Sequence, residues 1–60
     1  MNEKEVAAIK LWKAVMKGQE GEDMGEDSKA EMERLSKEAG VSEEDCLSED
    51  LSEVLMMIQH

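Results

Sequence analysis

One thiol, one imidazole and sixteen carboxylates make up the reactive groups of this 60-residue chain. A thiol beside an imidazole suits nucleophilic catalysis, because the imidazole draws off the proton and leaves a thiolate. Here the two groups are Cys46 and His60, with thirteen residues between them on what reads as one helix. Helical rise alone separates them by roughly 20 Å, so they cannot meet. Cys46 also follows Glu43, Glu44 and Asp45, and nearby negative charge disfavours the thiolate. The glycine-rich run that starts at Gly18 lacks the lysine of a phosphate-binding loop and carries the wrong charge. Neither an enzyme nor a cofactor is expected.

The carboxylates suggest a second chemistry, because hard cations take clustered oxygen ligands. Glu20, Glu22, Asp23, Glu26 and Asp27 crowd one short stretch. Their spacing does not follow the alternating pattern of an EF-hand calcium loop. The stretch reads as a solvated, mobile acidic loop over 18–27, and no metal site is expected. No Cys/His set has zinc-finger spacing, and a lone cysteine forms no internal disulfide. A reducing, cytoplasmic setting follows.

Charge narrows the partners. The net charge is -9, and it is unevenly spread. Residues 1–17 hold four lysines against two glutamates, whereas residues 18–60 hold three basic residues against fourteen acidic ones. Such a field repels phosphates and anionic membranes, so direct nucleic acid binding is excluded as the main role. The longest apolar run, Val54 to Ile58, is far too short to span a bilayer. The N-terminus has neither the basic flank nor the apolar run of a signal peptide.

The elements that position these groups are helices. Ser42 to Gln59 carries Leu47, Leu51, Val54, Leu55 and Ile58 at helical spacing. It is expected to be the stripe around which the rest of the chain packs. Ser42 with Asp45 forms a capping box, and Val41 with Cys46 a hydrophobic staple. Ser48 offers a later cap, but the staple pair would then be Leu47 and Ser52, a poor one, so a single helix over 42–59 is expected. On its wheel Cys46 and Met57 cannot both face the core side with Leu51 and Leu55, so one of them is expected at a surface. Asn2 and Glu5 start the first helix and Lys17-Gly18 stops it, over 3–17. Its apolar arc is wide, suited to two packing neighbours or to one neighbour plus a second chain. The second helix is read over 28–39, with Ser28 and Glu31 as a capping box, Gly40 as its stop and Glu33–Lys37 as a supporting pair.

The expected fold is therefore all-α: one acidic domain over 1–60, made of three helices. Its core is expected to contain Ile9, Leu11, Trp12, Val15, Leu35, Leu47, Leu51, Val54, Leu55 and Ile58. Without a disulfide, so small a core must rely on tight helix packing, a partner or self-association.

The run Leu35-Ser36-Lys37-Glu38-Ala39-Gly40-Val41-Ser42, followed by Cys46, resembles the helix-turn-helix of bacterial repressors. There a first helix ends in Ala-Gly-Val-Ser before the recognition helix. The resemblance covers about a third of the chain and implies a helix-turn-helix-like corner between the second and third helices. Glu49 stands where that motif has a late apolar residue. The face that would enter the major groove presents Glu43, Glu44, Asp45, Ser48 and Glu49, whereas phosphate contact and base reading need Lys, Arg, Asn or Gln. The resemblance carries a backbone geometry and not DNA binding.

The reading that remains is recognition. An acidic helical module is expected to bind a larger, basic-surfaced protein as an inhibitor or adaptor. In composition the chain resembles the small acidic proteins by which bacteriophages occupy host enzymes. Its expected contact residues are Glu43, Glu44, Asp45, Glu49, Asp50 and Glu53, with Met56, Met57 and Trp12 as apolar candidates. A second expectation is an obligate homodimer. A third is a nucleic-acid mimic that competes for a nucleic-acid-binding protein.

Overall fold

Asn2 opens the first helix by accepting the backbone N–H of Glu5 on its side-chain oxygen at 2.8 Å. Glu3 and Glu5 lie in the first turn, where carboxylates complement the helix dipole. The computed structural model describes residues 2–21 and 25–59. Helix α1 runs Glu3–Gln19, two residues past the expected stop at Lys17. Gly18 is helical, at a cost of only about 1 kcal/mol. The left-handed residue that turns the chain is Gly21, at φ 90°. The inner face of α1 buries Ala7, Ala8, Leu11 and Val15.

Helix α2 spans Glu26–Ala39, so the loop expected over 18–27 is shortened from both ends. Part of that loop, 22–24, lies outside the described residues. The expected cap at Ser28 is not the cap used. Gly25 precedes the first turn, without a side-chain hydrogen bond, and Glu26 and Asp27 occupy that turn. Charge–dipole attraction there replaces a side-chain cap. At the far end Gly40 adopts φ 77° and its N–H returns to the Ser36 carbonyl. A residue with a Cβ would be strained at that φ. Ser36 Oγ donates to the Val41 carbonyl and fastens the turn to α2.

The single helix expected over 42–59 is two helices. Helix α3 spans Glu43–Ser48 and α4 spans Leu51–Ile58, with Glu49 extended between them at φ -121° and ψ 153°. Among the described residues there are thus four helices instead of three. The physical reason lies in the phase of the apolar residues. At about 100° per residue, a straight helix that buried both Cys46 and Val54 would centre its buried face on Asp50. Breaking the helix at Glu49 lets each segment turn its own apolar side inward. Both Cys46 and Val54 reach 0% exposure. Ser48 Oγ donates to the Glu44 carbonyl at 2.9 Å, a back-bond that weakens helix continuation.

Helix α1, and not the C-terminal stripe, is the element the others pack around. It contacts α2, α3 and α4, while α3 and α4 touch each other. The wide apolar arc of α1 is used by these neighbours. The buried set is Ala7, Ala8, Leu11, Val15, Leu35, Ala39, Val41, Cys46 and Val54. Leu47 was expected in the core but is 46% exposed, because turning Cys46 inward swings its neighbour about 100° away. Ile9, Trp12, Leu51, Leu55 and Ile58 are half-buried. No helix among the described residues is long and apolar enough to cross a membrane.

Candidate functional site

The acidic residues expected to meet a partner fall into two groups on either side of the α3–α4 break. At the start of α3, the Asp45 N–H donates to Ser42 Oγ at 3.1 Å, and the Ser42 N–H donates to Asp45 Oδ2 at 3.3 Å. This is the expected capping box. It commits the Asp45 carboxylate to the backbone. Glu44 is exposed and Glu43 half-buried, so Glu44 is the freest anion of the first group. Val41 and Cys46, the expected staple pair, are both buried.

The second group is built on the break itself. The Trp12 indole Nε1–H donates to the Glu49 carbonyl at 3.3 Å. In a continuous helix that carbonyl would accept from the backbone four residues on, so the break and the indole contact support each other. Trp12 is half-buried against the core, and its polar atom is used inside the molecule. At and just after the break come the half-buried Glu49 and the exposed Asp50 and Glu53. The Glu49 carboxyl is pushed above its ordinary range, chiefly by a carboxyl–carboxyl hydrogen bond with Glu53. The Glu53 charge, some loss of hydration, and Asp50 and Asp45 add to the effect. Among the described residues, the ion pair formed is Arg34–Glu31 on α2, at 3.6 Å. It forms in place of the expected Glu33–Lys37 pair. The carboxylates of α3 and α4 have no lysine or arginine partner within that set.

Beside these anions α4 presents Met56 and Met57, 59% and 44% exposed. Of the Cys46–Met57 alternatives, the methionine is the one at the surface. Cys46 is buried, and its thiol is pushed up by burial first, then by Asp45 and Glu43. It is a neutral packing group. Its other expected neighbour, His60, lies outside the described residues, as do Glu22 and Asp23 of the acidic loop. Among the described residues no three His, Cys, Asp or Glu side chains are placed to hold one metal ion.

Sequence reasoning missed two exposed apolar residues. Leu47, with Ala14, Val15 and Met32, lines a shallow groove edged by Lys29 and Glu43. Val6, 38% exposed, lies with Ala7 and Leu35 in a second groove between α1 and α2, edged by Glu3, Lys4, Lys10 and Glu38. No pattern in the sequence marked Leu47, since its position is correct for a straight helix. Chemically, the α3–α4 surface offers flexible thioethers beside anions that have no lysine or arginine partner among the described residues. That combination suits recognition of a cationic, partly apolar surface. Comparison with known proteins finds no family model that matches the chain, and no similar curated protein or solved structure.

Proposed function

We propose that the chain is a small acidic interaction module that occupies a larger, basic-surfaced protein as an inhibitor or adaptor. The carrying observation is the juxtaposition of exposed Met56 and Met57 on α4 with Glu53 in its first turn and Glu49 and Asp50 just before it, carboxylates that have no lysine or arginine partner among the described residues. Its chemistry is recognition and not catalysis. Unpaired anions steer a cationic partner during encounter, and buried thioether surface slows its departure. The glycine corner at Gly40 serves as a support that presents the acidic first turn of α3, with no role in reading DNA. A neutral, buried Cys46 suits a reducing compartment.

Two copies of the chain make a poorer pair. Each carries a net charge of -9, and like charges brought face to face oppose docking. The test is capture of partners on immobilised protein from a bacterial lysate, at about 0.1 M and about 1 M salt. Across that range the Debye length falls from about 10 Å to about 3 Å. A basic-surfaced partner held at low salt and released at high salt is expected, and purified DNA should displace it if it is a nucleic-acid-binding protein. A solution mass near twice 6.7 kDa, with nothing captured, would overturn the reading in favour of a homodimer.

A further inference from the structure

Helix α4 is apolar at six of its eight positions, yet Val54 is its one fully buried residue. Leu51, Leu55 and Ile58 are half-covered. Met56 and Met57 are exposed, Met56 on the outer side and Met57 at the flank of the buried one. A helix with so wide an apolar arc is normally covered on more than one side. Here α1 and α3 enclose one side. The outer ridge runs Asp50, Glu53, Met57 at steps of three and four, which places them in one line on a helix surface. Met56 lies alongside, and Glu49 stands at the head of the ridge.

We infer that this outer face of α4 seats one amphipathic helix of the partner protein. The apolar side of that helix would cover Met56 and Met57, and its lysines or arginines would meet Glu49, Asp50 and Glu53. The inference rests on the interaction reading above and specifies the shape and chemistry of what is bound. A helix is favoured over an added strand because the described residues include no strand whose edge could be extended. Ridges of a helix pack into the grooves of another helix. Cationic flanks are favoured because the crowded carboxylates have no cation among the described residues. Methionine side chains adapt to whatever apolar side chains arrive. A second copy fits less well. The lysine stripe Lys10, Lys13 and Lys17 on α1 has Val6 as the large exposed apolar residue on that side, too little to cover two methionines.

The probe is a designed Leu/Lys amphipathic helical peptide of about 18 residues, five turns. It is compared with polylysine of equal charge and with the Leu/Glu counterpart, by calorimetric titration. The Leu/Lys peptide should bind at least about tenfold more tightly than polylysine, and the Leu/Glu peptide should not bind. The charge-neutral double variant Met56→Gln/Met57→Gln should lose about tenfold or more toward the Leu/Lys peptide. It should bind polylysine unchanged, with the same circular dichroism. Should the double variant fail to fold, Met56→Gln alone carries the test. Equal binding of polylysine and the Leu/Lys peptide, indifferent to the methionines, would overturn the inference and leave the acidic-surface reading standing. Absence of binding by both cationic peptides at low salt would remove both. A dimeric mass abolished by the double variant would show instead that a second copy covers this face.

Discussion

Helices α2 and α4 both lie on α1, and they finish their outer sides differently. Over fourteen residues α2 buries Leu35 and Ala39 and keeps Met32 half-covered. Elsewhere it is mostly charged and exposed, including the Arg34–Glu31 pair. An exposed pair of that kind adds at most about 1 kcal/mol, but the face as a whole is complete against water. Over eight residues α4 buries Val54 and leaves two adjacent methionines outside. In a chain that is 38% charged, those methionines do little for the core and leave apolar surface in water. The difference is that α2 finishes its outer side with charge, whereas α4 leaves thioether surface open, and the proposed docking face rests on that contrast.

The most severe way to probe that contrast is to remove the support common to both helices. Leu11 is fully buried in α1, the helix against which α2 and α4 both pack. Leu11→Ala should cost about 2–5 kcal/mol, through lost transfer energy and a residual cavity. A chain of this length has a total stability of only about 3–9 kcal/mol at the usual amount per residue. The variant should therefore be largely unfolded or melt far lower, as read by circular dichroism. A loss below about 1 kcal/mol would mean that α1 is not the common support, and the comparison of its two sides would lose its basis.

The helical class, the start of α1, the glycine stop of α2 and the capping box of α3 were all legible, because each is a local rule acting over three or four residues. Asn2 with Glu5, Gly40, and Ser42 with Asp45 are such cases. The break at Glu49 was not legible. The apolar stripe through Leu47, Leu51, Val54, Leu55 and Ile58 is a sound helical pattern by itself. The residue that contradicts it is Cys46, whose burial turns α3 out of phase with α4. The staple with Val41 pointed Cys46 toward the chain before it, but nothing local shows that a small residue preceded by three acids will outrank the neighbouring Leu47 for the interior. The indole bond from Trp12 to the Glu49 carbonyl spans 37 positions of the chain, beyond any local rule. Tertiary packing on α1 decided both. On the outer side of α4, the wheel showed that either Cys46 or Met57 had to reach a surface, and only the packing decides that it is Met57. The exposure of Leu47 and the internal use of Trp12 depend on the break.

Trp12→Phe sharpens the comparison at the junction. It keeps an aromatic ring against the core and removes the N–H that meets the Glu49 carbonyl. The direct loss should be about 0.5–1.5 kcal/mol for the hydrogen bond. Because the bond lies at the α3–α4 break, amide exchange should quicken in α4 before it changes in α2. Uniform quickening in both helices would show that the indole supports the whole core and not the junction.

A smaller effect tests the outer face of α4 directly. In the isolated chain, Met56→Gln and Met57→Gln should each shift stability by no more than about 0.5 kcal/mol, as for surface substitutions that touch nothing. Their consequences should appear only on binding. A thermal melt showing a loss above about 1 kcal/mol from either change would mean that α4 is already covered in solution. The contrast with α2 would then break.

The smallest expected effect concerns charge at the head of the same ridge, and here only a direction is at stake. In the folded chain Glu49 holds its proton more tightly than an ordinary glutamate, first because Glu53 hydrogen-bonds to its carboxyl, then because of the Glu53 charge. The unfolded chain does not hold the two side chains together. The folded state therefore takes up the proton first as pH falls. The pair's favourable contribution is fully present below the unfolded pKa, and it is lost as pH rises through the raised folded value. Glu53→Gln removes the carboxylate that accepts the Glu49 proton, and with it one negative charge, so Glu49 should titrate at a lower pH in that variant, as followed by carboxyl carbon resonances. The acid-side gain in melting temperature should shrink with it. An unmoved Glu49 titration in Glu53→Gln would show that the pair does not meet in solution. The anionic head of the ridge would then be no more crowded than the solvated face of α2.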